Sequence, residues 1–431
     1  MFEERRRRFL EAMGPGAVAL LLGARPVTRS NDTHYPFRQD SDFWYLTGFA
    51  HPNAAAVLRS DGGPAFTLFV EPREREAEIW NGYRPGVEGA VRDFGADQAF
   101  PREELLAKIP GLLEGARRLF YVYGRDAAVD AKLVESLESM RLRSRTGVVP
   151  PAELVDPRSV LHEMRLVKSE AEIAVMRRAA DVSREAHAAA ARLARGGVME
   201  FELEAALDHG FRRRGASGPA YSTIVGGGRN ATILHYVTND QPLRDGELVL
   251  VDAGCELEGY ASDVTRTYPV GGRFEGPARD VYELVLASQE VGLSLAKPGA
   301  TLEEIHQATV RVLTEGMVKL GLLSGSVDGL IESGAFRSYY MHRTSHWLGL
   351  DVHDVGAYTV GGKPRPLGPG MVFTVEPGLY VAADAENVDP RFRGIGVRIE
   401  DDVLVTASGH ENLTAAIPKQ PADVEAWTRA S

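Results

Sequence analysis

LVLVDAGCELEGYASDVTRTYPV, residues 248–270, sets four apolar residues directly against Asp252 and delivers Asp263 eleven residues later. A carboxylate carried on a buried strand costs several kcal/mol unless it is paired or bound to a cation. The spacing predicts a hairpin that brings the two acids together on adjacent strands. The same problem recurs further on, where Glu376 follows MVFTV and Glu400 ends GVRIE. One such acid is explained by an arginine partner, whereas four ask for a shared explanation.

Two explanations are open at this point: scattered structural ion pairs, or a cationic centre. Four carboxylates are neutralised by two divalent ions, and His346 is the imidazole that joins them. An oxygen-rich set with one imidazole suits hard or borderline ions such as Mn²⁺ rather than a thiolate-bound structural zinc. Two such ions together clamp a hydrolytic transition state.

The rest of the chain narrows the class. Its 431 residues are 44% hydrophobic and 25% charged, which fits a globular protein long enough for two or three domains. The net charge of −11 argues against a nucleic-acid surface. Cys255 is the single cysteine, which excludes an intramolecular disulfide and a cysteine-based zinc site and fits a reducing cytoplasm. It reads as a small core residue. The opening, MFEERRRRFLEAMGPGAVALLLGARP, has Glu3, Glu4 and Glu11 in its basic part, so we read a basic helix leading into a buried strand rather than a signal peptide. No stretch is long enough to cross a bilayer.

Up to about residue 150, short apolar runs (AVALLLG, AAAVLR, AFTLFVEP, LFYVYG) read as strands. REELLAKIPGLLEGARR and DAKLVESLESMRLR read as amphipathic helices. That alternation predicts an α/β domain over residues 1–165. The proline-rich VVPPAELVDPRS reads as punctuation. Ser169 and Glu172 then form a capping-box pattern at the head of an Ala-rich helix running to Gly196-Gly197. Two further helices, PARDVYELVLASQEVGLSLA and TLEEIHQATVRVLTEGMVKLG, sit among strands GELVLVDAG, DVTRTYPV, GMVFTVEPGLY and GVRIEDDVLVT. Residues 166–431 are thus expected to form an α+β domain rich in antiparallel sheet.

Five motifs in that domain resemble those of the pita-bread (creatinase/aminopeptidase) metallopeptidases, the family that includes methionine aminopeptidase, prolidase and aminopeptidase P. They are VDAG with Asp252, SDVTRT with Asp263, HRTSHWLGLDVHD with His346, TVEPGLY with Glu376 and VRIEDD with Glu400. The N-terminal stretch NDTHYPFRQDSDFWYLTGF and ILHY at 233–236 resemble the aminopeptidase P branch, whose N-terminal domain governs access to the site and assembly.

The resemblance implies two divalent metals, Mn²⁺ first and Zn²⁺ or Co²⁺ as alternatives. Asp252 would chelate one, His346 and Glu376 the other, and Asp263 and Glu400 both. It implies attack of a metal-bridging hydroxide on the Xaa-Pro bond, releasing the N-terminal residue from peptides with proline second. Glu376 would double as the shuttle that protonates the leaving proline nitrogen, a poor leaving group until then. His235, His342 and His353 would line the substrate site, with His353 stabilising the oxyanion. Tyr380 and Arg398 would orient ligands, Arg398 sharing a strand face with Glu400. Trp80, in EIWNGYR, would project toward a neighbouring subunit's site. Asp32 and Arg38 fall in the same domain without a role. His34, His51, His187, His209, His306 and His410 match no motif.

The implied partners are a peptide with an Xaa-Pro N-terminus and further copies of the chain, as a cytoplasmic dimer or tetramer, with no nucleic acid and no membrane. Alternatives are a prolidase confined to Xaa-Pro dipeptides, a creatinase-like hydrolase of a small amidine, and a non-catalytic peptide binder. The last usually lacks metal ligands, whereas all five stand here.

Overall fold

The computed structural model describes residues 1–60 and 62–430. The chain divides into two compact units, Met1–Glu163 and Met164–Ser431. The division falls inside the helix Arg158–Leu166, two residues ahead of the sequence boundary.

The first unit is built on a six-stranded mixed sheet. The order is Gln98–Pro101, Phe66–Val70, Ala55–Arg59, Ala17–Leu22, Arg118–Phe120, Glu153–Val155. Three of its five pairings are Ala17–Leu22 with Arg118–Phe120, Phe66–Val70 with Gln98–Pro101, and Arg118–Phe120 with Glu153–Val155, and all three are parallel. One face packs Val18, Leu20, Val57 and Phe69 against Leu105 and Ile109 of one helix and Leu133, Leu137 and Met140 of another. Each such apolar side chain contributes about 1.5–3 kcal/mol by leaving water. The basic N-terminal helix, Phe2–Met13, leads into the Ala17–Leu22 strand as expected. VVPPAELVDPRS is more than punctuation, because Glu153–Val155 is the sheet's edge strand and the Arg158–Leu166 helix starts inside it.

In the second unit every strand pairing is antiparallel among the described residues. The Glu170–Ala191 helix starts where Ser169 N donates to Glu172 Oε2 at 2.9 Å, and it stops at Ala191, short of Gly196-Gly197. A helix that the sequence reading passed over, Glu200–Arg213, packs beside it. Its stripe is plain in hindsight: Leu203, Leu207 and Phe211 recur every four residues and are buried. Gly210 is there for a close approach, since a Cβ at that position would meet Ala186 Cβ at 2.8 Å.

Strand Leu248–Asp252 is central in its sheet, between Ile224–Gly227 and Thr265–Pro269. Val249 and Val251 enter the main core while Leu250 packs with Ile224 and Tyr380 on the other face. Burial on both faces explains an unbroken apolar run. Asp252 shares the Leu250 face, opposite Thr265 in register.

The predicted hairpin needs a correction. Asp252 ends its strand, but Asp263 lies two residues before Thr265–Pro269, in a break. There Ala253 N donates to Val264 O (3.0 Å), and a Cβ on Gly254 would sit 1.8 Å from Ser262 O. Beyond the break, Cys255–Leu257 and Tyr260–Ala261 pair in a different sheet. Glu376 and Glu400 also stand in breaks, after Val372–Val375 and after Gly396–Arg398. Arg398 and Glu400 therefore do not share a strand. Cys255 is buried, its thiol pushed up to about 11 by burial.

Behind the site, the fully buried Arg266 donates to Asp401 Oδ1 at 2.6 Å and to the carbonyls of Glu400 and Ile417. Lys419 and Gln289 hold Asp401 Oδ2. Burial alone would raise the Asp401 carboxyl, but Arg266 and Lys419 outweigh it and hold it well below the usual range. A depressed folded-state pKa stabilises fully above the unfolded value of about 4 and loses that contribution as pH falls through the folded one. Asp401→Ala leaves Arg266 buried and uncompensated; the expected cost is about 3–5 kcal/mol, read as a lower urea midpoint at pH 7.

Candidate metal centre

Four segments converge on one cavity of about 960 Å³. Its lining includes Asp252, Asp263, His346, Glu376 and Glu400, together with His235, His342, His353 and Arg398. Backbone pairing sets the convergence. Glu376 N donates to Thr344 O at 2.8 Å and Thr374 N to His346 O at 3.0 Å, which lays residues 344–346 along residues 374–376. Glu400 N donates to Thr265 O at 3.1 Å, which lays the Glu400 break beside the Asp263 break.

The ligand atoms of Asp263, His346 and Glu400 all lie within 4.8 Å of one another. His346 Nε2 stands 3.3 Å from Asp263 and 3.4 Å from Glu376. The other ring nitrogen, Nδ1, donates to the Trp347 carbonyl at 3.0 Å, so that in the neutral ring Nε2 is the atom left to act as a ligand. Asp252 accepts from Tyr221 Oη at 2.7 Å and from Arg398 at 2.6 Å. Arg398 also donates to Tyr380 Oη at 3.0 Å and Thr265 Oγ1 at 3.0 Å. Thr265 in turn donates to Glu400 Oε2 at 2.6 Å, and Tyr380 Oη donates to His342 Nε2 at 2.8 Å. Asp263 N is held by the buried Asp402 carboxylate at 3.1 Å.

The electrostatics call for a cation. Burial, then the neighbouring carboxylates, push Glu400 well above its ordinary range. Burial raises Glu376 to about 7 and also raises Asp252, against the pull of Arg398. Burial opposes charge on His346, but Asp263 and Glu376 overcome it and hold the imidazolium at about 9. Burial, reinforced by Arg398, lowers His342 to about 3, so that ring is neutral. Glu400 Oε1 is buried with no hydrogen-bond partner. An orphaned carboxylate oxygen amid like charges is the local signature of a missing positive partner, and the carboxylate-plus-imidazole donor set fits a divalent cation.

The remaining predicted residues are placed as follows. His353 stands at the cavity wall, partly open to solvent, its ring 4.4 Å from that of His346; partial desolvation, reinforced by His346, lowers its pKa. His235 is exposed at the cavity wall. Trp80 belongs to the first unit, 84% exposed on the helix Arg75–Asn81. Sequence reasoning missed Tyr221, Thr265, Asp402 and His306. Thr265 and Asp402 lie inside quoted motifs and were readable there. Tyr221, 31 residues from its partner Asp252, left no local signal.

A carboxylate cluster with one imidazole, set at strand breaks of an antiparallel α+β unit, defines a metallohydrolase of the pita-bread type. Residues 174–407 match Metallopeptidase family M24 and residues 2–121 match "Aminopeptidase P, N-terminal domain", so the chain belongs to the M24 metallopeptidases. It is 48% identical over 427 residues to the Xaa-Pro aminopeptidase of Escherichia coli (strain K12), covering 99% of this chain and 96% of that one. Among solved structures it superposes on the Pseudomonas aeruginosa aminopeptidase PepP with a TM-score of 0.96, at 47% identity, covering 99% and 97% of the two chains. A zinc-substituted E. coli aminopeptidase P in complex with product superposes at 0.95, with the same identity and coverage.

Removing a ligand tests the cluster directly. Asp263→Ala should lose bound metal by atomic absorption and lose more activity than the 10–100-fold typical of residues that only support a ligand. Chelation of the wild type should lower its melting temperature by roughly 5–10 °C, restored by Mn²⁺.

Proposed function

We infer that this chain is a Xaa-Pro aminopeptidase, a metal-dependent exopeptidase that removes the N-terminal residue from peptides with proline second. The observation that carries this is the convergence of four carboxylates and His346 on one cavity, in a chain aligned end to end with relatives of that name. Two divalent cations held there, Mn²⁺ first and Zn²⁺ or Co²⁺ as alternatives, would polarise the scissile carbonyl and supply a nucleophile at neutral pH.

Asp252, Asp263, His346, Glu376 and Glu400 would hold the metals. Arg398 pulls against the burial that raises Asp252 and aims its carboxylate, and through Tyr380 it delivers a hydroxyl hydrogen to His342 Nε2. His342 Nδ1 is committed to the Arg343 carbonyl at 2.8 Å, so the neutral ring positions substrate rather than carrying charge. His353 and His235, exposed on the cavity wall, donate to the substrate carbonyl as it gains negative charge. Glu376 moves the proton to the leaving nitrogen; proline has no N–H of its own, so protonation decides whether it can depart.

The N-terminal unit, residues 1–163, serves access and assembly. Ile79, Trp80 and Tyr83 are 71%, 84% and 87% exposed, an apolar group suited to a second copy of the chain. The working assembly is a cytoplasmic homo-oligomer, dimer or tetramer.

Two measurements test this reading. Protein reloaded with Mn²⁺ should cleave Xaa-Pro-Yaa tripeptides after the first residue; turnover of Xaa-Pro dipeptides alone would make it a prolidase, and turnover of neither would sink both readings. Trp80→Ala should shift the mass measured by sedimentation toward smaller species.

A further inference from the structure

His306, a residue of none of the five motifs, borders the same cavity beside Leu302, Arg343 and Thr344. It sits in the second turn of helix Leu302–Lys319, which starts with a capping box: Thr301 N donates to Glu304 Oε2 at 2.8 Å and Glu304 N to Thr301 Oγ1 at 3.1 Å.

Proton accounting fixes its tautomer. Thr309 Oγ1 donates to the His306 carbonyl at 2.8 Å, which uses that hydroxyl's only hydrogen. The 2.7 Å contact between Thr309 and Thr344 is therefore a donation from Thr344. Thr344 Oγ1 has lone pairs left for its two other neighbours, Tyr340 Oη at 2.6 Å and His306 Nδ1 at 2.9 Å, so both donate to it. With the hydrogen on Nδ1, Nε2 is a bare acceptor. Burial, reinforced by Arg343, lowers His306 to about 4, so the ring stays neutral.

Its position relative to the chemistry follows from a chain of rings. His342 Nδ1 is 3.8 Å from Glu376 Oε2, the Tyr340 ring is 4.9 Å from His342, and the His306 ring is 5.9 Å from Tyr340. Thr344 closes the chain, since its hydroxyl holds His306 while its carbonyl accepts from Glu376 N at 2.8 Å.

An acceptor in this place discriminates by peptide length. Proline contributes no N–H, so the first backbone N–H after the scissile bond belongs to the third residue. A dipeptide presents a carboxylate there, which only accepts. Resting on the Xaa-Pro exopeptidase reading, we propose that His306 is a specificity-determining residue whose Nε2 accepts the N–H of the residue following proline.

The test compares alanyl-prolyl-alanine with alanyl-prolyl-lactate, an ester isostere in which oxygen replaces that N–H. The Mn²⁺-loaded wild-type chain should favour the amide by roughly tenfold in kcat/KM. In His306→Leu that preference should collapse to within about twofold, and His306→Gln, which restores a polar group near Nε2, should recover part of it. Equal wild-type rates on the two substrates overturn the proposal without any variant, as does a His306→Leu enzyme that keeps the tenfold preference. If the wild type cleaves neither, the exopeptidase reading itself has failed, and the proposal with it.

Discussion

The site depends on an imbalance of charge. Four carboxylates face one buried space, and Arg398 meets them as a fixed cation only at Asp252, 2.6 Å away. A guanidinium is planar, so spending one edge on Asp252 still leaves donors for Tyr380 and Thr265. Arg398 thereby aligns three supports of the centre from a single anchored plane. It does not neutralise Asp263, Glu376 and Glu400, and His346 alone cannot. Cations bound there would offset this arrangement of buried acids, which would make metal binding and the local fold one equilibrium.

That requirement explains where the acids sit. A residue inside a ladder points its side chain along the normal of its own sheet, and four such residues cannot aim at one point. In breaks between strands the backbone is free of the ladder, and each acid turns toward the shared space. Asp263, Glu376 and Glu400 all occupy such breaks, and Gly254 permits the closest approach, where even a methyl group would collide with Ser262 O. Strand Leu248–Asp252 stays apolar up to its last residue because both its faces are covered.

These features set what could be read beforehand. The acids were legible because a charge after an apolar run is costly and therefore informative, and the capping boxes at Ser169 and Thr301 were legible because they are local. The Glu200–Arg213 helix had a clear stripe and was overlooked. Asp263's place off the strand was not readable, since period-2 patterning says nothing about where a ladder pauses. Tyr221 and His306 join the site through contacts 31 and 38 residues apart in sequence, where no local pattern reaches. Chemistry that depends on a tautomer, as at His306, appears only when every hydroxyl hydrogen in the network has been assigned a destination.

Glu400, Asp401 and Asp402 condense the argument into three consecutive buried acids. Alternation along the chain sends them to different surroundings, and each finds a different answer. Asp401 meets Arg266 and Lys419, permanent side-chain cations, and is held strongly ionised. Asp402 faces the backbone N–H of Asp263, and burial keeps it above its ordinary range. Glu400 has a hydroxyl from Thr265 on one oxygen, nothing on the other, and like charges around it. Its counter-charge is therefore not a side chain. Displacement separates Asp401 from its two neighbours but does not separate Asp402 from Glu400, since both are raised; what distinguishes Glu400 is the source of compensation, a backbone N–H for Asp402 and nothing for Glu400 Oε1.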